Sequence, residues 1–291
     1  MKATDENGPA FDLLVAPDPS PLIYTVPHAG RVIPVSARER LQATETTIRS
    51  LEDPLVDELV DGTQTQGATL LVNRTARAVV DVNRDPGELD PGLVSDGIGR
   101  DTPRTRAGLG VVPRLGGDGR VLWRGRLDPA EIQARISAVH APYHAALAGL
   151  MQQTRARFGL AVLIDWHSMP AAAAEVEGRR SGLKPDIVLG DRFGQSAEAA
   201  ITGLIRQAFE SRGRRVVMNR PFAGGHTTQV WARPAEGFHA VQIEINRSIY
   251  LDEVTLDRTS GLATLQADVN AVSDALLAML RSKKTAPWSA A

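Results

Sequence analysis

Short apolar runs that end abruptly at polar residues are the most regular pattern along this chain. Residues 160–164 are all apolar, and Asp165-Trp166-His167-Ser168 follows, with Pro170 close behind. A run this short and this rich in Val, Leu and Ile is typical of a strand buried on both faces of a parallel sheet. Pro170 prevents the strand from continuing. We therefore predict a buried strand with polar groups just past its carboxyl end, which is where open α/β sheets bind ligands.

The same pattern occurs near the start of the chain. Residues 21–26 form a β-branched run that ends in Pro27-His28-Ala29-Gly30. Gly30 allows a sharp turn or a close approach of the backbone to a ligand. Other short apolar runs predict further strands. They are residues 68–72, 78–82, 110–112, 121–123, 185–191, 216–218 and 240–247.

Apolar residues at helical spacing predict four helices. They cover residues 51–62, 128–150, 196–212 and 259–281. Strands that alternate with helices predict an α/β fold. Residues 85–128 are rich in Gly, Pro, Asp and Arg, which predicts a long excursion of the kind that forms lids or binding loops. We expect one catalytic domain over residues 1–281 and a loose tail over residues 282–291.

Composition narrows the chemistry. The 291 residues carry a formal net charge of −1, so the chain lacks the excess of positive charge that is typical of nucleic-acid-binding proteins. The chain has no cysteine, which excludes thiolate metal sites and a cysteine nucleophile. The first residues lack the apolar core of a signal peptide, and no apolar run approaches the length of a membrane span. We therefore expect a cytoplasmic protein with no nucleic-acid or membrane partner.

Two histidines that follow buried strands are candidate metal ligands. His28 and His167 could face one point of a sheet, and Asp53 or Asp57 could complete the His₂-carboxylate set of catalytic zinc sites. Asp165 or Ser168 could orient His167. Simpler interpretations stay open, because His28 and His167 could be turn or loop histidines. Asp53 lies just before Pro54, where a carboxylate can cap the predicted helix.

Residues 240–247 alternate cleanly between apolar and polar positions. Glu244 therefore shares one strand face with Gln242 and Asn246, opposite the apolar side chains. A glutamate on a central strand is costly without a partner, which makes Glu244 a candidate general base. Alternatively, residues 240–247 form an edge strand whose polar face is exposed to solvent.

Several arginines and histidines are candidate binding residues. Arg77 and Arg84 flank the predicted strand 78–82, and arginine grips carboxylates through two parallel hydrogen bonds. Arg220 could hold an anion, with the glycines at 224 and 225 allowing close backbone contact, although a plain glycine turn fits equally well. His140 and His144 are four residues apart on a predicted helix, a spacing that suits a metal. The glutamate of the H-E-x-x-H motif is missing there, which favours a structural or supporting role.

Taken in order, the motifs resemble the N-formylglutamate amidohydrolase family over roughly residues 20–255. They are Pro27-His28-Ala29-Gly30, Asp53 with Asp57, Asp81-Val82-Asn83-Arg84, residues 165–170, residues 186–190, Gly224-Gly225 and residues 242–247. The resemblance implies a phosphorylase/hydrolase-like fold with a mixed, mostly parallel central sheet flanked by helices. It also implies one Zn²⁺ ion and a distant relationship to zinc carboxypeptidases and aspartoacylases.

The resemblance also implies roles for individual residues. His28 and His167 are implied as metal ligands, Glu244 as general base and Arg77 as the arginine that stabilises the oxyanion. Asn83 and Arg84 match a motif that binds the substrate carboxylate. Arg220, Gly225 and His226 are the further expected substrate contacts.

The chain departs from the family pattern at three places. Arg31 stands where relatives have the glutamate of a His-x-x-Glu motif, so we expect Asp53 as the carboxylate ligand, with Asp57 second. His226 stands where deformylases often have tyrosine after the glycine pair, and Val230-Trp231-Ala232 lacks their usual His-Tyr. These differences leave the amino acid unspecified.

The expected function is zinc-dependent hydrolysis of the formyl or short acyl C–N bond of an N-acylated amino acid, of the kind used in histidine degradation. The protein would act as a monomer or weak homo-oligomer on a small-molecule substrate. A metal-free binding protein for a small dicarboxylate and a carboxypeptidase-like zinc peptidase are the alternatives.

Overall fold

The computed structural model describes residues 9–283. The strands of this part are β1 (Phe11–Leu14), β2 (Leu22–Val26), β3 (Thr69–Asn73), β4 (Ala161–Met169), β5 (Ile187–Gly190), β6 (Val216–Met218) and β7 (Phe238–Asn246). Its α-helices are α1 (Val35–Arg40), α2 (Glu45–Arg49), α3 (Val56–Leu59), α4 (Pro103–Arg106), α5 (Pro129–Arg135), α6 (Ala141–Phe158), α7 (Ala171–Ser181), α8 (Ala199–Glu210), α9 (His226–Trp231) and α10 (Gly261–Lys283). A π-helical segment, Ile136–His140, joins α5 to α6.

The strands form one mixed sheet in the order β1-β3-β2-β4-β7-β5-β6. β2 and β7 both run parallel to β4, and β6 runs parallel to β5. β5 runs antiparallel to β7. The predicted α/β class with a mixed, mostly parallel sheet and flanking helices is therefore confirmed.

The described chain divides into two compact units. Unit 1 contains the residues up to Asp12, Pro27–Glu52 and Val72–Leu147. Unit 2 contains Leu13–Val26, Asp53–Leu71 and the residues from Ala148 onward, and it holds most of the sheet. The single domain expected over 1–281 stays a prediction, and the expected tail lies largely outside the described residues.

The two long strands of unit 2 separate an apolar face from a polar one. β4 and β7 are buried along their whole length, and their register places His167 opposite Glu244 and Asp165 opposite Gln242. Because side chains alternate along a strand, these four polar groups point to the same side of the sheet.

The other face of the two strands is part of the core. It carries Trp166, whose ring meets the ring of Tyr24 edge-on at 5.4 Å. The Tyr24 hydroxyl lies 2.7 Å from Ser273 Oγ on α10, which covers this face.

The polar residues after Ile164 belong to the strand, contrary to the predicted change into a loop. β4 continues to Met169 because the polar side chains of its later residues find partners on neighbouring elements. Pro170 then directly precedes α7, a helix that the apolar pattern did not predict.

Four other predicted elements differ from the structure. Residues 78–82 are buried but form turns, because the Asp81 carboxylate accepts the Asn83 N–H and holds a local turn instead of a strand. The predicted helix over 51–62 is reduced to α3, which follows Leu55 in a left-handed conformation with φ 63°. The runs at 110–112 and 121–123 form only isolated bridges or bends within the long excursion.

The helices predicted over 128–150, 196–212 and 259–281 are present with shifted ends, whereas α1, α2, α4 and α9 were not predicted. Asp128 caps α5 by accepting the Ala130 N–H, as the Asp-Pro sequence predicts. The helical course then runs through the π-helical segment and α6 to Phe158. Among the helices of residues 9–283, none is both long enough and apolar enough to span a membrane.

The burial of β7 gives a stability prediction. Val241 is fully buried on the apolar face, whereas Val254 is 90% exposed. Val241→Ala should lower the free energy of unfolding by roughly 1.6 kcal/mol for the lost apolar carbons, plus a cavity cost. Val254→Ala is the matched control and should change the stability by less than about 0.5 kcal/mol. Urea denaturation measures both, and equal effects would contradict the placement of Val241 in the core.

Candidate active site

A network of charged side chains surrounds His167 in unit 2. His167 Nε2 lies 2.9 Å from Asp165 Oδ2, and its Nδ1 lies 3.0 Å from Asp53 Oδ2. The other oxygen of Asp165 accepts the Thr25 hydroxyl at 2.6 Å. The other oxygen of Asp53 accepts Arg247 Nη2 at 2.9 Å. We call Thr25, Asp53, Asp165, His167 and Arg247 the His167 cluster.

Every member of the His167 cluster is buried, and the burial affects protonation. Asp165 is fully buried and Asp53 is 2% exposed. Burial alone would lower the pKa of His167, but Asp165 and Asp53 raise that pKa well above its usual value. The two carboxylates therefore favour a positive charge at this position.

Asp53 does not cap a helix. Its side chain bonds to His167 and Arg247, and the residue directly before α3 is Leu55, which makes no side-chain cap. The neighbouring Pro54 accepts the Tyr250 hydroxyl at 2.9 Å through its carbonyl. Asp57, the second candidate carboxylate, lies in the first turn of α3 and is only partly buried.

Glu244 lies beside His167 on the polar face of the sheet. It is 7% exposed, and its Oε1 accepts Gln242 Nε2 at 2.8 Å. Gln242 Oε1 is a buried acceptor for which the described residues offer no hydrogen-bond partner. β7 lies between β4 and β5, so the alternative of an edge strand with a wet face does not apply.

The glycine loop before α9 lies against this polar face. Gly190 pairs with Gln242 in the β5–β7 register. A Cβ on Gly190 would lie 2.7 Å from the carbonyl carbon of Ala223, so the missing side chain admits the loop backbone. Gly224, with φ 126°, and Gly225 follow, and His226 begins α9 half-buried.

Arg220 stands apart from these contacts. It is exposed, and among residues 9–283 its side chain forms no hydrogen bond or ion pair. Its expected part in substrate binding therefore stays a prediction.

Unit 1 holds a second charged network, centred on Asp81. His28 Nε2 lies 2.8 Å from Asp81 Oδ1, and Arg77 Nε donates to Asp81 Oδ2 at 2.9 Å. Burial alone would raise the pKa of Asp81, which is 1% exposed, but Arg77, His28 and Arg84 hold it well below its usual range. Asp81 is therefore a permanent negative charge that orients one candidate ligand and one candidate catalytic arginine.

The candidate substrate residues Asn83 and Arg84 continue from Asp81. Asn83 is buried, and its N–H donates to Asp81 Oδ1. Arg84 is not a surface arginine, because its side chain is 11% exposed and its Nε donates to the Leu109 carbonyl at 3.2 Å. Burial lowers the pKa of Arg84 to about 10, so the guanidinium is still charged at neutral pH.

His140 and His144 contact the backbone of the segment Val82-Asn83-Arg84. His140 Nε2 lies 2.8 Å from the Arg84 carbonyl oxygen, and His144 Nε2 lies 2.7 Å from that of Val82. This arrangement agrees with the supporting role favoured by the sequence.

Sequence reasoning gave no role to Arg247 or Asp81. Arg247 follows β7 directly, is 8% exposed, and also donates from Nε to Ser168 Oγ at 3.0 Å. A charged residue at the end of a central strand is the signal that marks Arg247. Asp81 stood inside a run interpreted as a strand, which hid its function as a hydrogen-bond acceptor.

Comparisons with known proteins agree with the motif pattern. Residues 20–251 match the family model of N-formylglutamate amidohydrolase. The chain is 31% identical over 236 residues to the N-formylglutamate deformylase of Pseudomonas aeruginosa, covering 80% of this chain and 83% of that protein. The deformylase of Pseudomonas putida is 29% identical over 238 residues, covering 80% and 82% of the two chains.

Solved structures share the fold. The N-formylglutamate amidohydrolase from Ralstonia eutropha JMP134 superposes with a TM-score of 0.85 at 29% identity, covering 94% of this chain and 99% of that one. The gene product Atu2144 of Agrobacterium tumefaciens superposes with a TM-score of 0.65 at 19% identity, covering 96% and 98%. The family match and the relatives confirm the resemblance drawn from the motifs. The chain therefore belongs to the N-formylglutamate amidohydrolase family, which comprises hydrolases of a C–N amide bond.

Proposed function

We propose that this protein is a zinc-dependent amidohydrolase that cleaves the formyl, or another short acyl, group from an N-acylated amino acid such as N-formylglutamate. The products are formate and the free amino acid. The observation that carries this proposal is the pairing of His167 with a buried aspartate on each ring nitrogen, next to the buried Glu244.

Buried charge supports a cation near His167. The His167 cluster and Glu244 include three buried carboxylates, those of Asp53, Asp165 and Glu244, against one permanent cation, Arg247. An excess of buried negative charge is costly unless a cation offsets it. With no cysteine in the chain, histidine and carboxylate are the donors available, and these suit zinc.

The orientation of the two histidines supports the same ligand set. Metal-binding histidines commonly donate their other ring N–H to a carboxylate, which fixes the tautomer. Asp165 meets Nε2 of His167, and Asp81 meets Nε2 of His28. Both histidines would therefore bind through Nδ1, with Asp53 as the carboxylate ligand.

Chain connectivity supports His28 as a member of this set. β2 ends at Val26, two residues before His28, and consecutive Cα atoms are about 3.8 Å apart. β2 is the parallel neighbour of β4, with Thr25 opposite Asp165. In our proposal, His28, two residues after this strand, therefore serves as a ligand together with His167.

A zinc ion at this position, when bound, supplies Lewis acidity towards the amide carbonyl and an attacking water. Glu244 accepts a proton from that water, whose oxygen forms a bond to the formyl carbon. The C–N bond then breaks, and Glu244 returns the proton to the leaving amine. Gln242 orients the Glu244 carboxylate through its side-chain N–H.

The arginines of unit 1 supply the remaining charges. Arg77 stabilises the negative charge that develops on the carbonyl oxygen, and Asp81 fixes its guanidinium through Nε. Arg84, with Asn83 beside it, binds the substrate carboxylate. Gly225, His226 and Arg220 form further substrate contacts on the side of the glycine loop.

The ligand set predicts the effect of substitutions on metal content. His167→Ala and Asp53→Asn should each reduce bound zinc from about one equivalent per chain to a small fraction, because a catalytic zinc site needs three protein ligands. Asp57→Asn is the matched control and should keep its zinc. Elemental analysis after dialysis measures the metal, and circular dichroism checks the fold.

The result can reject individual ligands or the whole set. Full zinc retention by His167→Ala would remove that residue from the site. Loss of zinc from Asp57→Asn alone would transfer the carboxylate role to Asp57. A wild-type protein that binds no zinc and has no turnover would instead support a metal-free binding protein.

The base assignment predicts a loss of turnover without loss of metal. Glu244→Gln keeps the size of the side chain but cannot accept a proton, so kcat should fall by about 10²–10⁴. Zinc content and thermal stability should stay near those of the unsubstituted protein. Glu210→Gln, at an exposed position of α8, is the matched control with unchanged kcat. Near-normal turnover of Glu244→Gln with N-formylglutamate would refute the assignment.

The proposed contact of Arg84 with the substrate carboxylate predicts an effect on KM. Arg84→Ala removes a charged contact to the substrate, so KM for N-formylglutamate should rise roughly ten- to a hundredfold. Arg100→Ala, in the excursion that follows Arg84 and with a side chain 59% exposed, is the control and should leave KM unchanged. Steady-state kinetics measure both variants, and an unchanged KM for Arg84→Ala would exclude Arg84 from substrate binding.

A further inference from the structure

We propose that His140 and His144 are positioning residues that fix the substrate-binding guanidinium of Arg84 by holding the backbone carbonyls of Val82 and Arg84. This inference rests on the proposed function, in which Arg84 binds the substrate carboxylate. It assigns a task to a histidine pair that is neither a metal ligand nor a proton carrier in that mechanism.

The hydrogen-bond partners define the protonation of both rings. A backbone carbonyl oxygen can only accept, so Nε2 must carry the proton in the bonds His140–Arg84 and His144–Val82. Burial lowers the pKa of His140, which favours its neutral form. Both contacts, at 2.8 and 2.7 Å, are therefore N–H···O=C bonds of ordinary length.

The two bonds act on alternate residues of one short segment. The same residues are also held by the turn at Asp81, whose carboxylate accepts the Asn83 N–H, and by the Arg84 side chain, which donates to the Leu109 and Asn83 carbonyls. The histidines fix the carbonyl that precedes Asn83 and the carbonyl that follows the Arg84 Cα, while the Arg84 N–H donates to the Asp81 carbonyl at 3.2 Å. The Arg84 side chain starts from a Cα that is held at both ends.

His140 and His144 lie on one continuous helical stretch, and their rings lie next to each other. Residues four apart lie on the same helix face, and the two ring centroids are 4.5 Å apart with an angle of 35° between the planes. Tyr143 also packs edge-on against His144 at 5.4 Å.

A π-helical segment leads into the pair and ends at His140. Ile136–His140 forms wider turns than α5 before it, and one extra residue rotates the following side chains by about 100°. The buried stripe of α5 and the histidine face can therefore point in different directions. Such local widening costs stability and is often associated with functional positions.

A role in positioning makes a specific kinetic prediction. His144→Leu removes the N–H donor and leaves the Val82 carbonyl unsatisfied, so KM for N-formylglutamate should rise roughly tenfold. The kcat value should change by less than about twofold if Arg84 contributes equally to ground-state and transition-state binding. His144→Gln keeps an amide N–H near the position of Nε2 and should recover most of the lost affinity.

Double substitution separates positioning from a general structural effect. If His144 acts through Arg84, adding His144→Leu to Arg84→Ala should raise KM no further, because the group that it positions is gone. Gln152→Leu, at an exposed position of α6, is the matched control and should behave like the unsubstituted protein. Zinc content and thermal unfolding of each variant are measured alongside the kinetics.

The possible outcomes are distinct. An unchanged KM for Arg84→Ala would reject the substrate contact of Arg84 in the proposed function. It would reject this inference as well. A raised KM for Arg84→Ala together with an unaffected His144→Leu would reject this inference alone. Additive effects, a His144→Gln variant no better than His144→Leu, or loss of zinc from His144→Leu would also overturn it. If His144→Leu does not fold, His140→Leu, which leaves the Arg84 carbonyl unsatisfied, and the double variant Arg84→Ala/His140→Leu decide in the same way.

Discussion

The constraint on which the site depends is the burial of aspartates behind histidines. Asp165 and Asp81 are almost completely buried, and each meets the Nε2 atom of one histidine. A buried carboxylate is tolerated only when hydrogen bonds or cations compensate for its lost hydration. Thr25 compensates Asp165, while Arg77 and the Asn83 N–H compensate Asp81. The Asp81 carboxylate, which orients His28, therefore also holds Arg77 and the turn at Asn83.

Side chains alternate between the two faces of β4 and β7, so this pair of strands contributes to the hydrophobic core on one face and to the candidate active site on the other. Trp166 and Val241 are fully buried on the apolar side, whereas His167 and Glu244 face each other across the register on the polar side. A shift of one residue in this register would move every polar group into the core and every apolar group out of it. The hydrophobic pattern thus fixes the separation between the proposed base and the proposed ligand more firmly than any polar contact does.

The sequence predicts the central strands well and the irregular segments poorly, for a physical reason. β2, β4 and β7 are recognisable because their burial comes from local runs of β-branched and apolar residues. The polar face of β7 also follows from alternation alone. Asp53 could not be separated from a helix cap, because its partners His167 and Arg247 are 114 and 194 residues away along the chain. Residues 78–82 have the composition of a strand, yet the turn at Asp81 and its bond to His28, 53 residues away, determine their course, and no local pattern reveals that distant partner.

The segment Asp81-Val82-Asn83-Arg84 links the two halves of the proposed chemistry. Its first residue orients His28 and Arg77, and its last carries the guanidinium that binds substrate in our proposal. Because the Val82 and Arg84 carbonyls are also bonded to His144 and His140, a movement of this backbone would break those hydrogen bonds. In our proposal, a substrate that fits this arrangement loses little free energy to ordering the protein. In this proposal, selection among N-acyl amino acids falls to the parts of the site that differ from the family pattern, such as His226 in the glycine loop, which is one of the expected substrate contacts.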